Sequence, residues 1–290
     1  MANLKDIRDR IKSVKSIQQV TKAMKLVAAA KMRKAQERME QARPYANRLS
    51  EVITSLLPDV DRSLLPLLDE REIKREALVV VTSDRGLAGA FNANIIRRAE
   101  EEILETGREN VDLICIGRKG MDHFRVRGYE TIKDKSGKDF TDFWSDLSFK
   151  HALDFGGEIV SHFTGREVDR VRVVYNWFRN VATQEIRVED LLPLTYEENS
   201  VKAVDRLYEP SKGEIVHSLI PRHLNVQMWK YLLESFASEQ AARMVAMDNA
   251  TENAQEMIKN LTLDFNKARQ AAITKEMLEI VGGAEALATN

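Results

Sequence analysis

Apolar residues recur at spacings of three and four along the first 57 residues. The series is Leu4, Ile7, Ile11, Val14, Ile17, Val20, Met24, Val27, Met32, Ala35, Met39 and Ala42. This spacing is typical of a helix with one apolar stripe, close to a heptad repeat. The segment contains no glycine, and its first proline is Pro44. The pattern therefore predicts one long helix over residues 1–57, with a kink at Pro44.

A second long helix is predicted over residues 222–290, because the run from Arg222 to Val281 lacks both glycine and proline. Its apolar positions are Leu233, Phe236, Met244, Met247, Ala254, Ile258, Leu261, Phe265, Ala268 and Ala272. Each helix would be roughly 80–90 Å long, whereas a compact chain of this size is roughly 50 Å across. A protruding helix with an apolar stripe needs a partner, and the other helix is the simplest one. An antiparallel coiled coil is therefore predicted, and a two-helix stalk without further function is the alternative.

Between the two helices, residues 77–192 alternate β-branched runs with helical stretches. The predicted order is strand 77–82, helix 92–105, strand 111–117, helix 118–127, helix 148–164, strand 170–178 and strand 184–192. Such a βαβα order predicts parallel strands with both faces covered, as in a small Rossmann-like domain. Residues 193–221 contain Pro193, Pro210 and Pro221 and are predicted to form the return connection. The predicted fold is thus an α/β domain plus a long antiparallel coiled coil formed by the N- and C-terminal helices.

The first strand-to-helix turn, Thr82–Gly89, is the place to look for a nucleotide site. It has neither the three glycines of a dinucleotide-binding turn nor the lysine of a P-loop. The favoured interpretation is a tight turn in which Ser83 or Asp84 caps the following helix. The five histidines are scattered, and Cys115 lies in an apolar strand. Neither a catalytic residue nor a cofactor nor a metal site is therefore predicted.

The distribution of charge changes the picture more than its total. The chain has a net charge of −1, which argues against a general polyanion binder, but residues 1–43 contain twelve Lys or Arg and four Asp or Glu. Eight of these cations, and no acidic residue, lie between Asp9 and Glu37. Such a stretch predicts an acidic partner: nucleic acid, anionic lipid or an acidic protein surface. The stretch has no aromatic residue, which disfavours single-stranded nucleic acid.

The end of the C-terminal helix, Ala268–Ala284, combines a few polar groups with a nearly apolar tip. An apolar tip on a long helix is favourable only if the tip is inserted into another structure. The sequence has no apolar run of about 18 residues, and its start has no apolar signal core. We therefore expect a soluble protein that resides in a reducing compartment.

Three ordered motifs carry a resemblance to the γ subunits of bacterial F-type ATP synthases. The first is Ile7–Ile11 with Thr21–Met32, and the second is Thr82–Gly89, where many members have cysteine at the position of Ala88. The third is Ala242–Met247 together with Ile273–Ala284. The resemblance covers essentially the whole chain. It implies a non-catalytic rotor, without a cofactor, whose two terminal helices form a shaft inside a ring of three α and three β subunits.

The resemblance also implies partners and contact residues. The α/β domain would contact the ε subunit and the membrane c-ring, at the cytoplasmic face of the bacterial inner membrane. Arg269 and Gln270 match a pair that hydrogen-bonds a loop of an open β subunit, and Met24 and Lys25 match positions that face the β lever region. Arg243 lies on the same shaft, one coiled-coil segment away.

Two other functions stay open at this point. A nucleotide-binding α/β protein would bind ATP through the turn at residues 82–92. A basic coiled-coil scaffold would bind nucleic acid with an affinity that falls steeply with salt. The rotor hypothesis predicts neither property, and it predicts co-purification with α and β subunits.

Overall fold

The computed structural model describes residues 4–61, 65–196, 209 and 211–288. Its helices and strands are α1 (Leu4–Leu56), β1 (Glu76–Val81), α2 (Phe91–Thr106), β2 (Val111–Ile116), α3 (Arg118–Val126), α4 (Phe149–Thr164), β3 (Arg170–Phe178), β4 (Gln184–Leu192) and α5 (Lys212–Ala288). The chain forms two compact units. The first consists of α1 up to Val27 and α5 from Met244 onward, and the second spans Ala28–Arg243. This division cuts both long helices, whereas the predicted domains keep each helix whole.

The second unit is built on a four-stranded sheet in the order β2-β1-β3-β4. Strand β1 is parallel to both of its neighbours, and β4 is antiparallel to β3. All of β1 is buried, and its side chains alternate between two cores, as the pleat of a strand requires. Val79 and Val81 join one core with residues of α1, α4 and α5, while Leu78 and Val80 join the other with α2 and α3. The predicted covering of both sheet faces is confirmed.

Helix α5 begins at Lys212, ten residues before its predicted start, and contains Pro221. The predicted connection 193–221 is therefore too long at its C-terminal end, and 197–208 with 210 lie outside the described residues. The sequence signal for the true start is Ser211 followed three residues later by Glu214. The Ser211 hydroxyl accepts a hydrogen bond from the Glu214 backbone N–H at 3.2 Å, which is half of a capping box. Pro221 lies inside the helix instead of marking its boundary.

In the first unit, α1 and α5 run antiparallel. The guanidinium of Arg8 lies over the ring of Phe265, and the hydroxyls of Thr21 and Thr251 are 2.7 Å apart. We call the buried or half-buried positions that follow a seven-residue repeat the seam. On α1 they are Ile7, Ile11, Val14, Gln18, Thr21 and Lys25, and on α5 they are Met247, Thr251, Ala254, Ile258, Leu261, Phe265, Ala268 and Ala272. The predicted antiparallel coiled coil is confirmed.

The seam differs in detail from the predicted apolar stripe. Three apolar residues that were expected to face the partner helix are instead exposed: Ile17, Val20 and Val27. The reason is geometric, because residues spaced by three advance about 300° and so drift about 60° around the helix at each step. The steps from Ile11 to Val20 therefore reach the opposite face of α1.

Candidate partner-contact surfaces

Polar side chains occupy the seam near the end of the first unit. The Lys25 ammonium lies 2.6 Å from the Asp248 carboxylate, with the two side chains 37% and 43% exposed. One helical turn earlier on α1, Thr21 contacts Thr251 and is itself buried. Polar groups at seam positions select one pairing of two helices, because any other pairing breaks their contacts across the seam. The predicted contact residue Lys25 is thus engaged within its own chain, through an acidic residue that the sequence analysis did not single out.

The remaining predicted contact residue on α1 is Met24, which is half-buried beside the seam. Its neighbours Lys22, Ala23 and Leu26 are exposed, and so are most of the other cations between Arg10 and Lys34. The basic stretch therefore lies on the open side of α1, with Lys25 as the member paired to an acid.

Arg269 and Gln270 are exposed on α5, close to the last half-buried seam residue, Ala272. Neither side chain makes a hydrogen bond or ion pair within the described part of the chain. Beyond Ala272, the described side chains are exposed, and the large apolar ones among them are Ile273, Met277, Leu278, Ile280 and Val281. This end of α5 thus presents apolar side chains together with two donor side chains that have no partner in the described ranges.

Arg243, in the second unit, is largely buried, with 12% of its side chain exposed. One guanidinium nitrogen lies 2.6 Å from the Glu239 carboxylate, and another donates to the Gly86 carbonyl at 3.0 Å. Burial raises the pKa of Glu239, and the charge of Arg243 opposes that rise. Arg243 therefore fastens the turn after β1 to α5. Of the five predicted contact residues, Lys25 and Arg243 bind acidic groups within the chain. Met24 is half-buried, and Arg269 and Gln270 have no partner among the described residues.

The turn Thr82–Gly89 is closed by groups of the chain itself. Ser83 accepts from and donates to the side chain of Asn92. The carboxylate of Asp84 accepts the backbone N–H of Arg118, the first residue of α3, at 2.9 Å and that of Asp142 at 2.8 Å. Burial raises the pKa of Asp84, although these two donors oppose the rise. The prediction that Ser83 or Asp84 caps the following helix is wrong, because α2 begins after Ala90 without a side-chain cap and Asp84 caps α3.

This arrangement is unfavourable for a phosphate. A free helix N-terminus binds anions through its N–H groups, but at α3 the Asp84 carboxylate takes that place. Gly117, which precedes α3, has a φ of +95°, and a Cβ there would lie 2.1 Å from the Thr82 carbonyl oxygen. Within the described residues, no three His, Cys, Asp or Glu side chains are grouped closely enough to hold a metal ion. No helix in this part of the chain is long and apolar enough to cross a membrane.

Comparison with known proteins decides the family. The family model for ATP synthase matches residues 3–287. The ATP synthase gamma chain of Chlorobium luteolum is 51% identical over 293 residues, which cover 99% of both chains. The gamma chain of Cytophaga hutchinsonii is 50% identical over 298 residues, also with 99% coverage of both.

The chain belongs to the ATP synthase gamma chain family. Solved structures agree with the fold. A chain of the Euglena gracilis mitochondrial ATP synthase, in a structure of its OSCP/F1/c-ring, has a TM-score of 0.68 at 23% identity and covers 98% of this chain and 94% of its own. A chain of the Tetrahymena thermophila central stalk/c-ring has a TM-score of 0.61 at 25% identity and covers 80% of this chain and 99% of its own. Gamma chains are the non-catalytic central-stalk subunits of ATP synthase, so the predicted family and non-catalytic role are confirmed.

Proposed function

We propose that this chain turns as the central stalk of an F-type ATP synthase and couples proton flow through the membrane sector to ATP synthesis and hydrolysis at the β subunits. The observation that carries the proposal is the C-terminal end of α5. There, exposed Ile273, Met277 and Leu278 follow the free side chains of Arg269 and Gln270. A continuous set of exposed apolar residues marks an interaction site. An apolar sleeve formed by the α and β subunits would cover it.

The basic face of α1 supports a second contact, with acidic lever loops of the β subunits. Lys15 and Lys22, which are seven residues apart and so lie on the same side of the helix, are exposed there. Lys25 has three N–H donors and uses Asp248 as one acceptor, so it can bind a second acidic group. Met24 lies beside it and would pack against the same loop. Exposed ion pairs contribute about 0–1 kcal/mol each, so this face would act through several weak pairs.

The chain would act by differential binding and not by chemistry of its own. A ligand shifts a conformational equilibrium only by the difference in its affinity for the alternative states. The two helices of the first unit differ in sequence at every face, so a β subunit would meet different side chains at each rotor angle. Arg243 contributes indirectly, because it holds the turn after β1 in place.

Further partners would be the ε subunit and the membrane c-ring, contacted by the α/β unit. The protein would then reside at the cytoplasmic face of the bacterial inner membrane as a peripheral subunit. Both relatives named above are bacterial gamma chains of matching length. Their bacterial origin supports the proposed location at the inner membrane.

The test replaces the two free donors at the end of α5. The variant Arg269→Ala with Gln270→Ala is assembled with wild-type α and β subunits, and steady-state ATP hydrolysis is compared with single-site turnover. Hydrogen bonds to a charged group contribute about 1.5–3 kcal/mol, so loss of one that forms at a single rotor angle lowers steady-state turnover roughly 10-fold or more. Single-site turnover, which needs no rotation, is expected to change little.

A matched control is available on the same helix. Lys259 and Asn260 are also an exposed cation followed by an exposed amide, ten residues nearer the start of α5. The variant Lys259→Ala with Asn260→Ala is expected to leave both rates near wild type. Equal wild-type rates for the Arg269/Gln270 variant in both regimes would remove these two residues from the mechanism.

A further inference from the structure

Glu234 is a buried acid without a role in the proposed rotor contacts. It lies on α5 within the second unit and is 9% exposed, and its Oε2 atom has no hydrogen-bond partner among the residues that the structure describes. An unpaired carboxylate in such a place is costly, because burial disfavours the charged form. Burial raises the pKa of Glu234 to about 7, and the nearby charge of Glu189 adds to the rise. Lys230, Arg187 and Arg43 act in the opposite direction.

The donors around Glu234 bind Glu189 instead. The Tyr175 hydroxyl donates to Glu189 Oε1 at 2.6 Å, and Tyr231 also donates to this carboxylate. The Lys230 ammonium and the Arg187 guanidinium lie 3.8 Å from it. Hydrogen bonds and cations favour the charged form of an acid. The donors and cations of this cluster thus bind Glu189, whereas the Oε2 atom of Glu234 has no donor among the described residues.

These groups come from every element around the acid. Tyr175 lies on β3, and Arg187, Glu189 and Asp190 lie on β4. Lys230 and Tyr231 precede Glu234 on α5, and Arg43 lies on α1. The rings of Tyr175 and Tyr231 are 4.6 Å apart. The Asn176 backbone N–H donates to the Ser235 hydroxyl, and the Ser238 hydroxyl donates to the Asn176 carbonyl, so α5 is also joined to β3 next to Glu234. Full hydration of the Glu234 carboxylate therefore requires α5 to move away from β3 and β4.

We propose that Glu234 is a proton-dependent latch that holds α5 against the strand pair β3–β4. In its neutral form the carboxyl stays buried while α5 packs against β3 and β4, which we call the closed form. Once ionised, it favours an arrangement in which α5 separates locally from the strands and water reaches the carboxylate. The inference concerns the second unit of the chain itself, so it stands or fails independently of the proposed rotor function.

The sign and size of the effect follow from linkage. A carboxyl whose pKa is higher in the closed than in the open form strengthens the closed form at low pH. That strengthening is complete below the ordinary value of 4.5 and is lost as the pH rises to about 7. Within this window, local opening is expected to become about tenfold more favourable for each pH unit of increase. Above about pH 7, the equilibrium constant for local opening no longer changes with pH.

Hydrogen exchange on the full chain tests this. Exchange between pH 5 and 8, corrected for the intrinsic pH dependence of exchange, is measured in peptides covering 228–238 and 184–190. The wild type is expected to show the tenfold slope below pH 7, and Glu234→Gln is expected to remove it. Glu252→Gln is the control, because Glu252 is an exposed acid of the same helix, and it should keep the wild-type slope.

A second variant tests the pairing of the two acids. Glu189→Gln removes the like charge, so the slope is expected to end at a lower pH than in the wild type. Carbon NMR of the labelled Glu234 carboxyl gives its titration directly, even if a variant is less stable. A wild-type slope that persists in Glu234→Gln, or titration of Glu234 near 4.5, overturns the proposal. A uniform loss of protection with an unchanged slope in Glu234→Gln also overturns it, because it indicates a purely structural role.

Discussion

The pair Lys25–Asp248 serves two proposed purposes, and reversing its charges separates them. The ammonium and carboxylate are 2.6 Å apart in the seam of the first unit. Three variants are needed: Lys25→Glu, Asp248→Lys and the two combined. Each single reversal places two like charges together, whereas the combination restores an opposite pair with the positions exchanged. Thr21 and Thr251, one turn away, are unchanged in all three.

The expected size follows from the exposure of the pair. With more than a third of each side chain exposed, solvent screens the attraction, and measured pairs of this kind contribute about 0.2–1 kcal/mol. Each single variant should therefore lose up to about 1 kcal/mol of the free energy of unfolding, and the double variant should recover most of it. Urea unfolding of the full chain at low salt measures the coupling. The coupling should shrink near 1 M salt, where screening acts over about 3 Å.

Turnover of the reassembled complex then shows whether Lys25 also meets a partner. The double variant keeps the pair within the chain but presents Glu at position 25 to any acidic lever loop. We therefore expect it to recover most of the lost stability but a much smaller part of the lost steady-state ATP hydrolysis. Zero coupling in the unfolding experiment would refute the pair as a seam contact. Full recovery of hydrolysis would refute a partner contact of Lys25.

Two further predictions concern the second unit. Gly117→Ala should lose more than about 2 kcal/mol in urea unfolding, because of its positive φ and the 2.1 Å approach of a Cβ to the Thr82 carbonyl. Gly157→Ala, on a helix with open space around it, should gain about 0.5–1 kcal/mol, and equal effects would contradict this account. Arg243→Lys should lose the bond to the Gly86 carbonyl and speed hydrogen exchange in residues 84–88 at least tenfold. Unchanged exchange there would show that the turn holds without the arginine.

The sheet could be predicted from the sequence because its signals are local. Strands β3 and β4 have the predicted bounds, β2 ends one residue earlier than predicted, and β1 is shifted by one residue toward the N-terminus. Their residues are β-branched or apolar runs bounded by turns, which is a pattern that depends on near neighbours. The start of α5 was also local, in Ser211 and Glu214, but Pro221 was given more weight than this capping signal.

The seam was predicted less well, because the prediction used the spacing of apolar residues, whereas three of the six seam positions on α1 are polar. Gln18, Thr21 and Lys25 continue the seven-residue repeat, while exposed Ile17 and Val20 interrupt it. Assigning each residue by its position in the seven-residue repeat would have placed these polar residues against the partner helix. Their partners Thr251 and Asp248 could then have been found by pairing the two repeats in opposite directions.

Contacts between residues far apart in sequence could not be predicted. Arg243 reaches Gly86 across 157 residues, and Asp84 caps a helix 34 residues away instead of the next one. The Oε2 atom of Glu234 lacks a donor among the described residues because donors from three elements bind Glu189 instead. In each case the partner is selected by the packing of the sheet and helices, which no local pattern contains.

The polar seam residues also determine how far the end of α5 extends past α1. A slip of one heptad would place Thr21 opposite Ile258 or Met244, and Lys25 opposite Gln255 or Ala241. Either slip separates both pairs and places the buried hydroxyl of Thr21 against an apolar side chain, which disfavours it, whereas a wholly apolar seam would tolerate the slip. Seven residues of helix correspond to about 10 Å, so a slip would move Arg269 and Gln270 by that distance relative to α1. A stalk that presents two donors to a partner loop needs their position set to within a hydrogen bond. The pairs Thr21–Thr251 and Lys25–Asp248 set it, at the cost of apolar burial in the same part of the seam.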